Sequence, residues 1–257
     1  MRFSKWHALG NSYLVVERRD AGELSPEAVR RLCNVGVGVG GDGVLEVLSA
    51  IESHVDVVIW NPDGSTAELS GNGTRIAAAW LATRTAAREI TVKTAGRTVS
   101  CLVREDGSIE QRLERVSVGP PETIDVHGNQ VELVPVDVGN PHAVVPAVDP
   151  ARETLLRLGP LVETHPRFPS RTNVQLAHPD GPHDVRALVW ERGAGETSAS
   201  GSSAVAVAAA ALALGWCESP VTVHFPGGDL CVAIEGDRVT LVGPAEEICR
   251  GELVRPV

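Results

Sequence analysis

Two serines stand where this chain could bind an anion. Residues 191–215 read ERGAGETSASGSSAVAVAAAALALG, a glycine-rich polar turn running into an alanine-rich helix. Gly193, Gly195 and Gly201 let backbone pass close to a ligand. Ser200, Gly201, Ser202 and Ser203 fall in the first turn of that helix. Unpaired backbone N–H groups and the positive end of the helix dipole favour a carboxylate there. Residues 204–214 are apolar all round, which predicts a buried helix. Residues 63–82, DGSTAELSGNGTRIAAAWLA, repeat the design, with Ser70 followed by Gly71, Asn72 and a second alanine-rich helix. Either serine alone reads first as a helix N-cap. The same setting occurring twice points to ligand contact at both.

Ser70 and Ser200 lie 130 residues apart. At a shift of 129, Gly10-Asn11-Ser12-Tyr13 lines up with Gly139-Asn140-Pro141-His142, and at 131, Ile90-Thr91-Val92 lines up with Val221-Thr222-Val223. Three matches in one order at nearly one offset predict a tandem repeat of about 130 residues, much longer than a solenoid unit, and hence two similar domains. We place them at residues 1–118 and 119–244, with Gly119-Pro120-Pro121-Glu122 as the linker and a tail of about residues 245–257 packing back on the first.

The elements that must hold the serines follow from the pattern. Ser25-Pro26-Glu27 starts a helix, with Ser25 as N-cap and Pro26 in the first position. Alternating segments predict strands across residues 1–17, 44–48, 56–60, 90–103 and 108–118 in the first repeat. In the second they fall at 131–138, 143–145, 173–176, 185–190, 221–224, 230–234 and 239–242, with a short helix near 151–158. Gly36-Val37-Gly38-Val39-Gly40-Gly41 follows a helix and leads into a strand, the reverse of a dinucleotide-binding turn, and reads as an active-site loop. Many strands and one long buried helix per repeat give an α+β fold, sheet wrapped around a helix.

With 23 Lys+Arg against 33 Asp+Glu the formal charge is −10, which argues against a nucleic-acid or anionic-membrane surface and for a small-molecule partner. Five cysteines without C-x-x-C pairing suggest reduced thiols in a cytoplasm, with neither a disulfide framework nor a zinc site. The N-terminus lacks an apolar signal core, and no apolar run is long enough to span a bilayer.

Five pieces carry a resemblance that covers nearly the whole chain. They are K-x-H-x-x-G-N from Lys5, N-P-D-G-S from Asn61, S-G-N-G-T-R from Ser70, G-N-P-H from Gly139 and E-R-G-A-G-E-T from Glu191. In this order they resemble the diaminopimelate epimerase family. The resemblance implies two pseudo-symmetric domains, each a β-barrel-like sheet around a central helix, with substrate where both helix N-termini meet. It also implies cofactor-free inversion of the α-carbon in the LL/meso diaminopimelate pair, on the route to lysine and peptidoglycan. Such inversion needs a base on one face and an acid on the other, which explains why a half-site occurs twice. Matching positions assign Asn11, Asn61, Gly71, Asn72, Asn140, Asn173, Glu191, Arg192, Gly201 and Ser202 to substrate, with Glu191 and Arg192 on its distal amino-acid end or on the catalytic base, and His142 and Glu191 to assisting the acid/base pair. Alone, the asparagines read as turn residues and Glu191-Arg192 as a surface ion pair. A homodimer is an expectation for partners. Trp60, Trp80 and Trp190 read as core.

The family's acid/base residues are cysteines, and this chain has Ser70 and Ser200 in their places. A thiol titrates near pH 8.5, and lower at a helix N-terminus, whereas a serine hydroxyl needs an adjacent base. At Gly43 the family often has a polar residue, so that contact is unassigned. Three accounts of the serines stand open at this point: an engineered double replacement, a natural serine branch helped by His142 and Glu191, and an amino-acid-binding homologue without turnover. In the wider proline racemase group, threonine for one such cysteine accompanies dehydratase activity. A dehydratase, or a racemase of another amino acid, is therefore a further alternative.

Overall fold

The computed structural model describes residues 1–113, 115–147 and 149–254. They form two compact units: Met1–Arg112 together with the chain from Val242 onward, and Leu113–Leu241. The first run contains β1 (Arg2–Ala8), β2 (Asn11–Glu17), α1 (Arg18–Ala21), α2 (Pro26–Cys33), β3 (Gly43–Ile51), β4 (His54–Trp60), β5 (Thr66–Ala67), α3 (Gly71–Thr85), β6 (Glu89–Lys93), β7 (Thr98–Val103) and β8 (Ile109–Leu113). The second contains β9 (Ser117–Val118), β10 (Glu122–Val126), β11 (Asn129–Asp137), β12 (Pro141–Pro146), α4 (Arg152–Glu163), β13 (Asn173–Gly181), β14 (Asp184–Glu191), β15 (Gly195–Thr197), α5 (Gly201–Ala213), β16 (Val221–Phe225), β17 (Gly228–Glu235) and β18 (Arg238–Gly243). The C-terminal strand β19 (Glu246–Glu252) runs antiparallel to β1.

The repeat seen in the sequence is a repeat of strand pairing. In the first unit β1–β2 is antiparallel, β2–β3 parallel, β3–β4 antiparallel, β4–β6 parallel and β6–β7 antiparallel. In the second the same sequence of senses runs through β11, β12, β13, β14, β16 and β17. Each sheet curls around its long helix. Helix α3 packs on β1, β2, β3, β4, β6, β7 and β19, and α5 on β11, β12, β13, β14, β16, β17 and β9. This is an α+β fold, and it explains the compositions of α3 and α5. A helix enclosed by strands buries every face along its middle, so Ala, Val and Leu are tolerated all round there, while in α3 the polar residues fall in the first turns and in the exposed last turn, Thr83-Arg84-Thr85.

Buried carboxylates brace both sheets in the same way. Trp60, the last residue of β4, and Trp190, the next-to-last of the equivalent strand β14, donate their indole N–H groups to Glu46 and Glu163. Both tryptophans are half-buried, and of the three expected in the core only Trp80 is fully enclosed. A half-buried indole with a satisfied N–H is stable without full enclosure.

Several sequence expectations differ from the structure. Residues 90–103 form a hairpin and not one strand, because Thr94 N donates to Arg97 O at 2.8 Å and closes a turn. The helix expected near 151–158 runs on to Glu163 through Pro160, held by its buried face of Leu155, Gly159, Val162 and Glu163. Gly119 N donates to Pro135 O at 2.8 Å, so this expected linker residue is engaged with β11 inside the second unit.

Candidate active site

In the first unit, Ser70 is the N-cap of α3, with extended backbone that aims its hydroxyl back over the first turn. Its Oγ accepts from Gly73 N at 3.0 Å and lies 3.2 Å from the Tyr13 hydroxyl. Asn72 is buried and donates Nδ2 to Asn11 Oδ1 at 3.3 Å, while its own Oδ1 accepts from Arg75. Arg75 is fully buried, and its other partners are Gln111 Oε1 at 3.2 Å and Pro244 O at 3.5 Å, all neutral. Burial pushes its pKa down to about 10, so it stays charged at neutral pH. A buried cation near the start of α3 adds to the positive end of the helix dipole, and the pair favours an anion at Gly71 and Asn72. Asn61 instead braces its own turn, donating Nδ2 to Ser65 Oγ at 2.9 Å.

The second unit reaches a similar half-site by different bonds. Ser200 also precedes its helix as N-cap but makes no capping bond. Its hydroxyl donates to Glu191 Oε2 at 3.3 Å, and Thr197 donates to the other carboxylate oxygen at 2.7 Å. Burial raises the Glu191 pKa, opposed by those two hydrogen bonds. Glu191 is therefore no surface partner of Arg192. That residue is exposed, sends Nη1 to Ser170 O at 3.1 Å, and donates its backbone N–H to Asn173 Oδ1 at 3.0 Å. Asn173 in turn donates to Pro141 O at 3.0 Å. Glu163 fixes the turn beyond Glu191, accepting from Gly193 N at 2.7 Å.

His142 is buried, with Nε2 3.0 Å from Asn140 Oδ1 and Nδ1 3.0 Å from the Gln175 amide, which also reaches Ser203 Oγ at 2.9 Å. Burial pushes its pKa down to about 3, offset partly by the Gln175 bond and furthered by Arg192, so it is neutral. It braces the floor beneath the start of α5, where Gly201 and Ser202 offer first-turn amides, and it is Glu191 that bonds Ser200. Among the described residues no group of three His, Cys, Asp or Glu side chains is placed to hold a metal ion.

Sequence reasoning missed Tyr13, Arg75 and Gln175. Tyr13 carried a signal, since the repeat alignment sets it opposite His142. The register agrees: Tyr13 pairs with Gly43, the first residue of β3, and His142 with Asn173, the first residue of β13.

Tandem sheet-wrapped helices, each beginning at a serine, define a class of two-repeat α+β proteins. Within that class, the chain belongs to the diaminopimelate epimerase family, whose model matches residues 3–124 and 134–248. A diaminopimelate epimerase of Pelotomaculum thermopropionicum is 38% identical over 275 residues, covering 98% of both chains. One of Stutzerimonas stutzeri is 36% identical over 277 residues, covering 98% of this chain and 99% of its own. Two solved structures share the fold. A phenazine biosynthesis protein of the PhzF family from Bacillus anthracis has a TM-score of 0.73 at 15% identity and 99% coverage of both chains. A hydroxyproline epimerase from Agrobacterium vitis has a TM-score of 0.71 at 15% identity, covering 98% of this chain and 90% of that one.

Proposed function

We propose that this chain is a cofactor-independent epimerase that interconverts LL- and meso-diaminopimelate by two-base proton transfer, in lysine and peptidoglycan biosynthesis. The observation that carries the reading is the contact between Ser200 and the Glu191 carboxylate at a helix N-terminus, which gives the hydroxyl the adjacent base it needs. Ser200 and Ser70 serve opposite faces of the α-carbon. Gly71, Asn72, Gly201 and Ser202 hold the α-carboxylate and stabilise charge as the proton leaves. Asn11, Asn61, Asn140, Asn173 and Arg192 bind the remaining polar groups, and His142 supports the Ser200 side.

The relatives' name supplies the substrate, and the half-buried Glu191, its pKa raised by desolvation, supports the acid/base role. A cytoplasmic location belongs to the same reading, supported by five cysteines that are all unpaired thiols. A homodimer belongs to it too and would register as twice the chain mass by light scattering. Incubation with LL-diaminopimelate in D2O, followed by NMR, tests the function. The α-proton signal is expected to fall as the meso isomer appears. Saturable binding with the α-proton retained would make the chain a binding protein instead.

A further inference from the structure

Resting on the epimerase reading, we propose that Tyr13 is the proton-relay partner of Ser70, so that Ser70 is the donating face and Ser200 the accepting face of the same reaction. Tyr13 acts through Ser70 and need not touch substrate.

Three observations converge. The Tyr13 hydroxyl is 3.2 Å from Ser70 Oγ, on a ring that is almost fully buried. Tyr13 occupies in the first repeat the register position that His142 occupies in the second. Its ring fits because residue 43 is glycine: a Cβ there would lie 2.5 Å from Tyr13 Cε1 and 2.6 Å from Trp60 O. Asn173 fills the equivalent place in the second unit.

The hydrogen bonds then set the two serines in opposite states. A hydroxyl has one proton to give and two lone pairs. Ser70 Oγ already accepts from Gly73 N, and either hydroxyl can donate across the 3.2 Å contact with Tyr13; in the relay the phenol donates, which fills both lone pairs of Ser70. Its proton is free for substrate. Ser200 has spent its proton on Glu191, which leaves its lone pairs free to accept one. A phenol titrates near pH 10 and is a far better ultimate donor than a serine hydroxyl.

In the forward step the substrate Cα–H bond breaks as Ser200 Oγ takes that proton and passes its own to Glu191. The electron pair stays on the α-carbon, conjugated with the carboxylate. On the other face the Ser70 proton forms the new Cα–H bond, and Tyr13 replaces it from its own O–H. One proton leaves the substrate and one enters. The chain is left with Glu191 protonated, which its raised pKa favours, and Tyr13 as phenolate. That form runs the reverse reaction, or resets by exchanging protons with water.

Tyr13→Phe keeps the ring and removes only the relay. It is expected to cut LL-to-meso conversion about 100-fold, in the range of general acid–base contributions, with KM within about twofold. In D2O, deuterium is still expected to enter the isomer whose α-proton meets Ser200, without inversion. In a Ser70→Cys background the loss caused by Tyr13→Phe is expected to shrink at least about tenfold, because a thiol titrating near pH 8.5 needs no relay. Conversion by Tyr13→Phe at the unmodified rate, or an equal loss in the Ser70→Cys background, would overturn the relay. Absence of both exchange and inversion in the unmodified chain would remove the epimerase reading and the relay with it.

Discussion

The two candidate proton-transfer residues are chemically alike and locally different. Ser70 is bonded to a backbone amide and a phenol, Ser200 to a carboxylate. The scheme makes Glu191 the eventual home of the abstracted proton. Glu191→Gln should therefore lower kcat by about 100-fold or more while leaving KM nearly unchanged, since the carboxylate serves proton transfer and not binding. Steady-state kinetics in both directions would check this, and a rise in KM at constant kcat would assign Glu191 to substrate. The serine positions, Glu191 and His142 were legible because their motifs are local in sequence. Tyr13 was legible only through its repeat position opposite His142, because an aromatic residue in an apolar strand reads as core and its hydroxyl meets Ser70 only once α3 is in place. Arg75 was hidden similarly: on an otherwise apolar helix its burial depends on Asn72, Gln111 and Pro244, the last far along the chain.

At the scale of the element, α3 and α5 begin with the same residue type but only α3 is capped by it. Ser70→Ala should cost about 1 kcal/mol of stability through the lost bond to Gly73 N, whereas Ser200→Ala should be within about 0.5 kcal/mol of neutral. Urea denaturation of both variants would show the difference, and equal losses would mean that the two caps are equivalent. The helices themselves were easy to read, as alanine-rich runs after glycine turns. The strands between residues 90 and 118 were not, because the alternation continues across the turn at 94–97 and conceals the break. Helix α4 extends beyond its sequence signal because tertiary packing outweighs the one hydrogen bond that Pro160 removes.

For the whole molecule, the buried neutral His142 links stability to pH. Its folded pKa of about 3 lies below the ordinary 6.5, so the unfolded chain takes up a proton that the folded chain refuses. The contribution is fully present above pH 6.5 and is lost as pH falls toward about 3, at about 1.4 kcal/mol per unit, on the order of 5 kcal/mol in all. Denaturation free energies measured from pH 7 to 4 should therefore fall less steeply in His142→Gln than in the unmodified chain. Parallel curves would show that the imidazole does not carry this linkage. The tandem architecture was readable from the 130-residue offset because each repeat preserves its element order and pairing senses. The strand that completes each sheet was harder to place, since β19 reaches β1 from the opposite end of the sequence while β9 immediately precedes the repeat it joins.

In the proposed reaction two hydroxyls, one per repeat, transfer protons on opposite faces of one α-carbon. The most direct measurement is early deuterium incorporation when the unmodified chain acts on LL-diaminopimelate in D2O, with substrate and product isomers separated before mass analysis. A two-face mechanism predicts that newly formed meso isomer carries an α-deuteron while the remaining LL isomer is still largely protiated. Equal labelling of both isomers from the start, or meso product that retains the original proton, would contradict it.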